Sequence, residues 1–391
     1  MQLLPFVLAA AVSARFWCPI QTACAQADAV RVGDQKSSPV PAGKPAPADK
    51  DVWQLQSSGT TAGLRGIDSV DGTVAWASGT GGTVLRTTDG GEHWQRCATP
   101  DVDKDGATLD FRGIQAWDAQ TAIVMASGPG DKSRLYKTTD ACKTWTLAFT
   151  NPDKEGFWDA IILPRETYGD TKVPGYVMLA GDPVSGHFEV RDGLLFGQGL
   201  EWELSQQNCD SRGEEAVFAA SNSAVVVSAF ESYILATGGK NGGRVLISPL
   251  QQHDLKKPCL SVEVPIAKGS ESSGVFSLAF SNPVAPWHGL AVGGDYLKPN
   301  DSSGTAAFST DGGLHWTAST TPPHGYRSTV QYSEPLHLWI TAGTNGSDIS
   351  RDDGRTWQPL DNGNWNALSL PFLVAPNGRI ARLNPAAVPK P

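Results

Sequence analysis

Past its N-terminal end the chain has no apolar run approaching the roughly 20 residues that a membrane-crossing helix needs, so no membrane span is expected. It has no C-x-x-C pair and no Cys/His spacing of the zinc type, which removes a structural zinc site and a thioredoxin-like redox centre. H-x-x-H, H-E-x-x-H and G-x-S-x-G are missing as well, so metalloproteases and serine hydrolases lack their minimum parts. A dinucleotide site needs G-x-G-x-x-G between a strand and a helix. The glycine clusters here, Gly79 with Gly81 and Gly82, Gly238 with Gly239, and Gly242 with Gly243, sit in strand turns with no helical pattern after them. Basic residues are in deficit, 31 Lys and Arg against 40 Asp and Glu, for a net charge of -9. Nucleic acid is therefore not an expected partner, because phosphate binding needs clustered cations.

What is present points to strands and turns. With 42 Gly and 13 Trp against three Met and 18% charged residues, the profile suits short strands joined by many turns. At the N-terminus, Leu3 to Ala14 form an apolar core and Ala25-Gln26-Ala27 an A-x-A cleavage site, so residues 1–27 read as a signal peptide and the mature protein as periplasmic or secreted. A lipoprotein site at Cys24 is the weaker alternative, since Gln21 stands where an aliphatic residue is wanted. Residues 28–50, rich in Pro, Ala and Lys, cannot bury enough surface to offset the entropy of ordering and read as a linker. Residues 385–391 read as a flexible tail. Four cysteines remain after the signal, Cys97, Cys142, Cys209 and Cys259; either they form two disulfides, in any of three connectivities, or they are free buried thiols.

One octapeptide recurs: TTDGGEHW at 87–94, TTDACKTW at 138–145, STDGGLHW at 309–316 and SRDDGRTW at 350–357. The common form is [ST]-x-D-x-G-x-x-W, with Asp89, Asp140, Asp311 and Asp352 paired with Trp94, Trp145, Trp316 and Trp357. Its physics is that of a tight hairpin: Gly supplies a left-handed backbone, the carboxylate accepts local N–H bonds, and Trp begins the next strand. The second copy has Cys142 where Gly is expected, so that turn must be distorted or stapled.

Each octapeptide lies in a unit of four strands, the content of one propeller blade. Inner strands are expected to start at Leu64, Phe111, Phe157, Ala216 (AVFAAS), Val275 and Tyr326. The C-terminal segments WNALSL, PFLVAP and GRIARL supply three strands of a seventh blade, and the segment Asp51 to Ser57, with Trp53 in the register of the repeated Trp, supplies the fourth. The fold class is thus an all-β, seven-bladed β-propeller over residues 51–384, closed by an N-terminal strand, at about 48 residues per blade.

These repeats are Asp boxes, also called BNR repeats. Together with AGDPVSGHFEVRDG (180–193), ILATGG (234–239), VFSLAF (275–280), VGGDYLKPN (292–300), GYRSTV (325–330) and GSDISRDDGRTW (346–357), they make the chain resemble bacterial BNR-repeat propellers similar to the photosystem II stability/assembly factor family, some of which carry an oxidoreductase label. The resemblance implies a soluble propeller that binds or helps assemble other proteins, and the chain is accordingly expected to be a non-catalytic, monomeric scaffold.

Two constellations are candidates for function. Aligning inner strands puts Arg65, Arg112 and Arg327 at one position, with Asn366 in blade seven, so an arc of guanidiniums is expected round the channel mouth. Such planar donors suit an anionic ligand or an acidic partner; Asp159, Glu214 or Glu215 are the alternative ion-pair partners. The arc also resembles the arginine cluster by which sialidases, the other Asp-box enzymes, hold a substrate carboxylate, although the chain has no F-R-I-P start and no assignable Tyr/Glu pair with an acid. The second constellation is Asp101, Asp103 and Asp105 with Asp110, an oxygen-rich loop of the calcium type whose twelfth position holds Arg112 instead of Glu; a solvated acidic loop is the alternative. Asp182, Asp295 and Asp348 follow Gly-rich strand ends on one rim, as a binding face or as turn stabilisers. No cofactor other than calcium is implied.

Overall fold

The computed structural model describes residues 51–163, 176–196, 199–204, 209–227, 233–248, 258–281 and 288–390; the signal and linker expected over 1–50 lie outside them. The strands form seven antiparallel sheets. Their inner strands are Leu64–Ser69, Phe111–Ala116, Trp158–Ile162, Val225–Val227, Ser273–Phe280, Thr329–Ser333 and Ala367–Ser369. Each touches the next, and the last touches the first, so the seven blades close into a ring round a channel.

Burial follows position within a blade. Second strands such as Ala75–Gly79, Ala122–Ala126 and Leu338–Gly343 are buried at every residue, because both of their faces are covered by neighbouring blades. They consequently read as continuous runs of small and apolar residues. The outermost strand of blade one, Gln95–Arg96, is exposed at both positions. Closure comes from Trp53–Gln56, which pairs antiparallel with Ile380–Leu383 in the register Trp53↔Leu383 to Gln56↔Ile380. Pairing a strand from one end of the chain with a strand from the other removes an open sheet edge.

The boxes are built as local hydrogen-bond devices. In the first, the Gly91 N–H donates to Thr87 Oγ1 at 3.0 Å and the His93 N–H to Asp89 at 3.0 Å. The other three repeat this pattern. Bonds from the Thr144 side chain and backbone hold the Asp140 carboxyl down to about 2. The indole N–H groups of three boxes reach the preceding blade or its connection: Trp94 donates to Gln56, Trp145 to the Ala98 carbonyl and Trp357 to Ser319. Trp53 does the same for blade seven, donating to Ser347 of blade six at 3.0 Å. In the second box, Ala141 and Cys142 hold the left-handed φ values of 59° and 61°. That turn keeps its shape and is stapled, since Cys142 is bonded to Cys97. Cys209 is bonded to Cys259.

Two expectations need correction. The segment after Ala216 is not the inner strand of blade four; Val225–Val227 is, and that blade's outer strand is Leu260–Glu263. The tail is not free either. Pro385–Ala387 makes a 3-10 turn under the Asn384 side chain, and Val388 is buried in the cluster that contains Trp53 and Leu383.

Replacing Cys97 and Cys142 together by Ala releases a loop closed across 45 residues and is expected to cost about 2–4 kcal/mol of unfolding free energy. Denaturant midpoints of the variant and the wild type measure it; an unchanged midpoint would show that the staple contributes nothing.

Candidate functional site

The channel mouth is set by a backbone irregularity that recurs from blade to blade. The inner strands of blades one, two, three and five each carry a bulge, between Leu64 and Gly66, Phe111 and Gly113, Trp158 and Ala160, and Val275 and Ser277; in the first three it falls just past the first paired residue, in blade five past the third. A bulge leaves one residue unpaired and re-aims its side chain. The bulged residues are Arg65, Arg112, Asp159 and Phe276, each following a fully buried apolar residue.

Arg327 does not belong to this series. A Cβ at Gly79 would strike the Gly63 carbonyl and Leu64 Cα, and one at Gly343 the Tyr326 carbonyl and Arg327 Cα. The Leu64 N–H bonds to the Ala375 carbonyl of the preceding blade, as the Arg327 N–H does to Gly293 and the Trp365 N–H to Gly343. Arg327 is therefore the counterpart of Leu64, and Ser328 that of Arg65. A slip of one residue in a strand reverses the side chain. The Arg327 guanidinium accordingly points into the protein, fully buried, where it donates to Asp348 and to the Tyr326 carbonyl. Asn366 does occupy the Arg65 position, but its amide donates to the Leu64 carbonyl at 2.7 Å and stitches blade seven to blade one.

Arg65 and Arg112 do meet. Both face Asp110, Arg112 Nε at 2.8 Å and Arg65 Nε at 3.7 Å, so one carboxylate stands between two cations. Asp159 continues the arc in blade three and is 1% exposed. Burial raises its carboxyl well above the usual range and the Asp182 charge adds to the rise, while Arg112 opposes it. The peptide N–H groups of Ala219 and Asp182 also approach and oppose the rise, but neither closes to ordinary hydrogen-bond geometry on the carboxyl oxygens.

Residues 217–223, which precede the inner strand of blade four, form a plug that bridges several blades at the channel. The Val217 N–H donates to Asp182 of blade three at 2.9 Å, and the Asn222 amide exchanges bonds with both backbone groups of Ile161 at 2.7 and 2.8 Å. Ser223 donates to Ser277 of blade five at 2.7 Å, and Ser221 to the Ser328 carbonyl of blade six at 2.6 Å. Residues bonded to three blades at once can only lie between them. The base of this plug is fixed by a buried ion pair, Arg244 to Glu215 at 2.7 Å. Phe218 of the plug stacks on Phe276 with centroids 4.0 Å apart, and Tyr326 meets Phe276 edge-on at 4.8 Å. At the level of the bulges the ring is thus basic over blades one and two, carries the buried Asp159 carboxyl at blade three, and is aromatic where Phe218, Phe276 and Tyr326 pack together.

The acidic loop does not assemble a calcium site. Asp105 is taken by Arg134 at 2.7 Å and Lys132 at 2.5 Å, which hold its carboxyl down to about 2. Asp101 faces Tyr136 and Lys104, Asp103 is exposed, and Asp110 belongs to the arginines. The rim carboxylates are structural. Asp182 accepts from the plug, Asp295 from the Leu297 N–H, and Asp348 from Arg327.

No family model matches the chain, and no curated protein matches it significantly. Solved structures do. YCF48 bound to D1 peptide is similar at 16% identity and TM-score 0.56, covering 86% of this chain and 97% of that one. YCF48 from Cyanidioschyzon merolae is similar at 18% identity and TM-score 0.58, covering 86% and 99%. The WD40 β-propeller domain of Doa1 is similar at 12% identity and TM-score 0.55, covering 85% and 97%. These likenesses establish the propeller fold.

A carboxyl whose pKa is raised on folding stabilises the fold below its unfolded value and loses that contribution as pH climbs through the folded one. Asp159→Asn removes this dependence. The variant is expected to melt above wild type at pH 8, by about 2 °C or more, with the two converging near pH 4; a lower Tm at pH 8 would mean that the ionised Asp159 is a structural ligand of the plug.

Proposed function

We propose that the protein is an exported, non-catalytic scaffold that binds an acidic segment of a partner protein over the channel mouth. The observation that carries this reading is the placement of Arg65 and Arg112 side by side, 16% and 12% exposed, sharing one carboxylate. Two planar guanidiniums against one carboxylate leave donors for a second, and bidentate pairing gives such a contact both strength and direction. Support for a peptide comes from the neighbour YCF48, seen bound to D1 peptide. The two disulfides support an oxidising compartment and hence export.

The sialidase-like reading is weakened at its first requirement. It needs three arginines round one substrate carboxylate, but Arg327 is buried on Asp348, and the remaining two close on the protein's own Asp110. A redox function has no nucleotide cradle, since the described helical turns are all 3-10 and three residues long.

Arg65→Ala and Arg112→Ala are each expected to weaken binding of an acidic peptide by about tenfold, and Asp110→Asn to strengthen it by removing the internal competitor. Arg327→Ala should instead cost about 3–5 kcal/mol of stability by stranding buried Asp348. Calorimetric titration and denaturant melts separate these effects; equal peptide affinity in wild type and both channel variants would remove the proposal.

A further inference from the structure

Two arginines outside the channel, Arg96 and Arg379, have no ion pair among the described residues and share one concavity. Where the loop following the closing strand runs beside blade one, an open groove of about 570 Å³ is lined by Ser57, Thr61, Asn377, Arg96 and Arg379, with exposed Leu55 at its edge. No carboxylate lines it, although acids outnumber bases in the chain, 40 to 31. Arg96 projects from the two-residue outer strand of blade one, is exposed, and has no ion pair among the described residues. Arg379 lies over the Trp365 ring at 4.6 Å and donates to the Asn364 carbonyl at 3.5 Å. The indole covers one face of that guanidinium and fixes its orientation. Two cations in one concavity, with hydroxyl and amide groups between them, have no internal counter-charge, so an anion is the ligand that balances them. At the channel mouth Asp110 already balances one of the two charges.

The groove also straddles the seam where the two ends of the propeller meet. The Gly378 N–H donates to the Ala62 carbonyl at 2.7 Å, and the Asn384 N–H to the Val52 carbonyl at 2.8 Å. We propose that this groove is a second ligand site, taking a molecule with two carboxylates, one for Arg96 on blade one and one for Arg379 beside Asn377 on blade seven. A small dicarboxylic acid and a pair of acidic side chains on a peptide share that chemistry. A ligand spanning the two arginines ties blade one to blade seven, so it stabilises ring closure as well as binding.

The test is a thermal melt and a calorimetric titration at low ionic strength with two probes, glutarate and a pentaglutamate peptide, on wild type, Arg96→Ser, Arg379→Lys and the double variant Arg65→Ala/Arg112→Ala. Arg379→Lys keeps the positive charge while losing the planar fork, so it guards against loss of fold at the Trp365 contact. In wild type, Tm rises with probe concentration. Arg96→Ser weakens binding by about tenfold, Arg379→Lys by less, and the channel double variant retains both the heat at this site and the shift in Tm. A shift with glutarate identifies a small acid as sufficient, and a shift with pentaglutamate alone identifies a peptide. The proposal is overturned if neither probe raises Tm, if Arg96→Ser binds as wild type does, or if the channel double variant abolishes all binding. In the last case the channel reading survives and the groove does not.

Discussion

Ring closure by the pairing of Trp53–Gln56 with Ile380–Leu383 is the constraint on which the other features rest. A propeller blade contacts only its two neighbours, so opening one seam exposes two blade faces and an unpaired edge at once. The closing strand therefore does more than complete blade seven. Trp53 donates backward to Ser347 of blade six, while Gln56 reaches forward to the Gly90 carbonyl and the Trp94 indole of blade one. Four residues thus bond three consecutive blades. The tail reinforces the same place, with Val388 buried beside Trp53.

Closure also decides what can meet in the channel. Inner strands held at one level round a ring bring their bulged residues to one level too, which is why Arg65, Arg112 and Asp159 come together from positions far apart in the chain. Their charges are then set by what surrounds them. Asp110 sits between the two arginines, and Asp159, buried beside Asp182, is pushed toward its neutral form. The plug adds a physical limit, because its bonds to blades three, five and six place its backbone between them.

The repeated octapeptide turns stand at the outer end of the four blades that carry them and serve the frame. Their carboxylates close local turns, while the indoles of Trp94, Trp145 and Trp357 tie a blade to what precedes it. Where a box lacks its glycine, as at Cys142, a disulfide to Cys97 fixes the strained backbone instead. The features that make the fold recognisable are thus distinct from those able to contact a ligand.

The sequence alone determined the all-β class, the number of blades, the box turns and the strand that closes the ring, because these follow from local periodicity and from turn chemistry confined to a few neighbouring residues. It also placed Arg65 and Arg112 correctly, since LRGI and FRGI share both their apolar residue and their glycine. It misplaced Arg327, because YRST lacks that glycine and nothing local signals a register shifted by one. Asp159 was legible in part, as FWDA sets an acid after the same apolar step, but its burial was not. AVFAAS has the alternation of a strand and becomes a plug only because its partners, Asp182, Phe276 and Ser328, come from three other blades. The cysteine pairing and the acid-free groove between Arg96 and Arg379 were decided likewise by the tertiary structure. Each joins residues distant in the chain, and neither local pattern nor composition encodes which side chains a closed ring sets face to face.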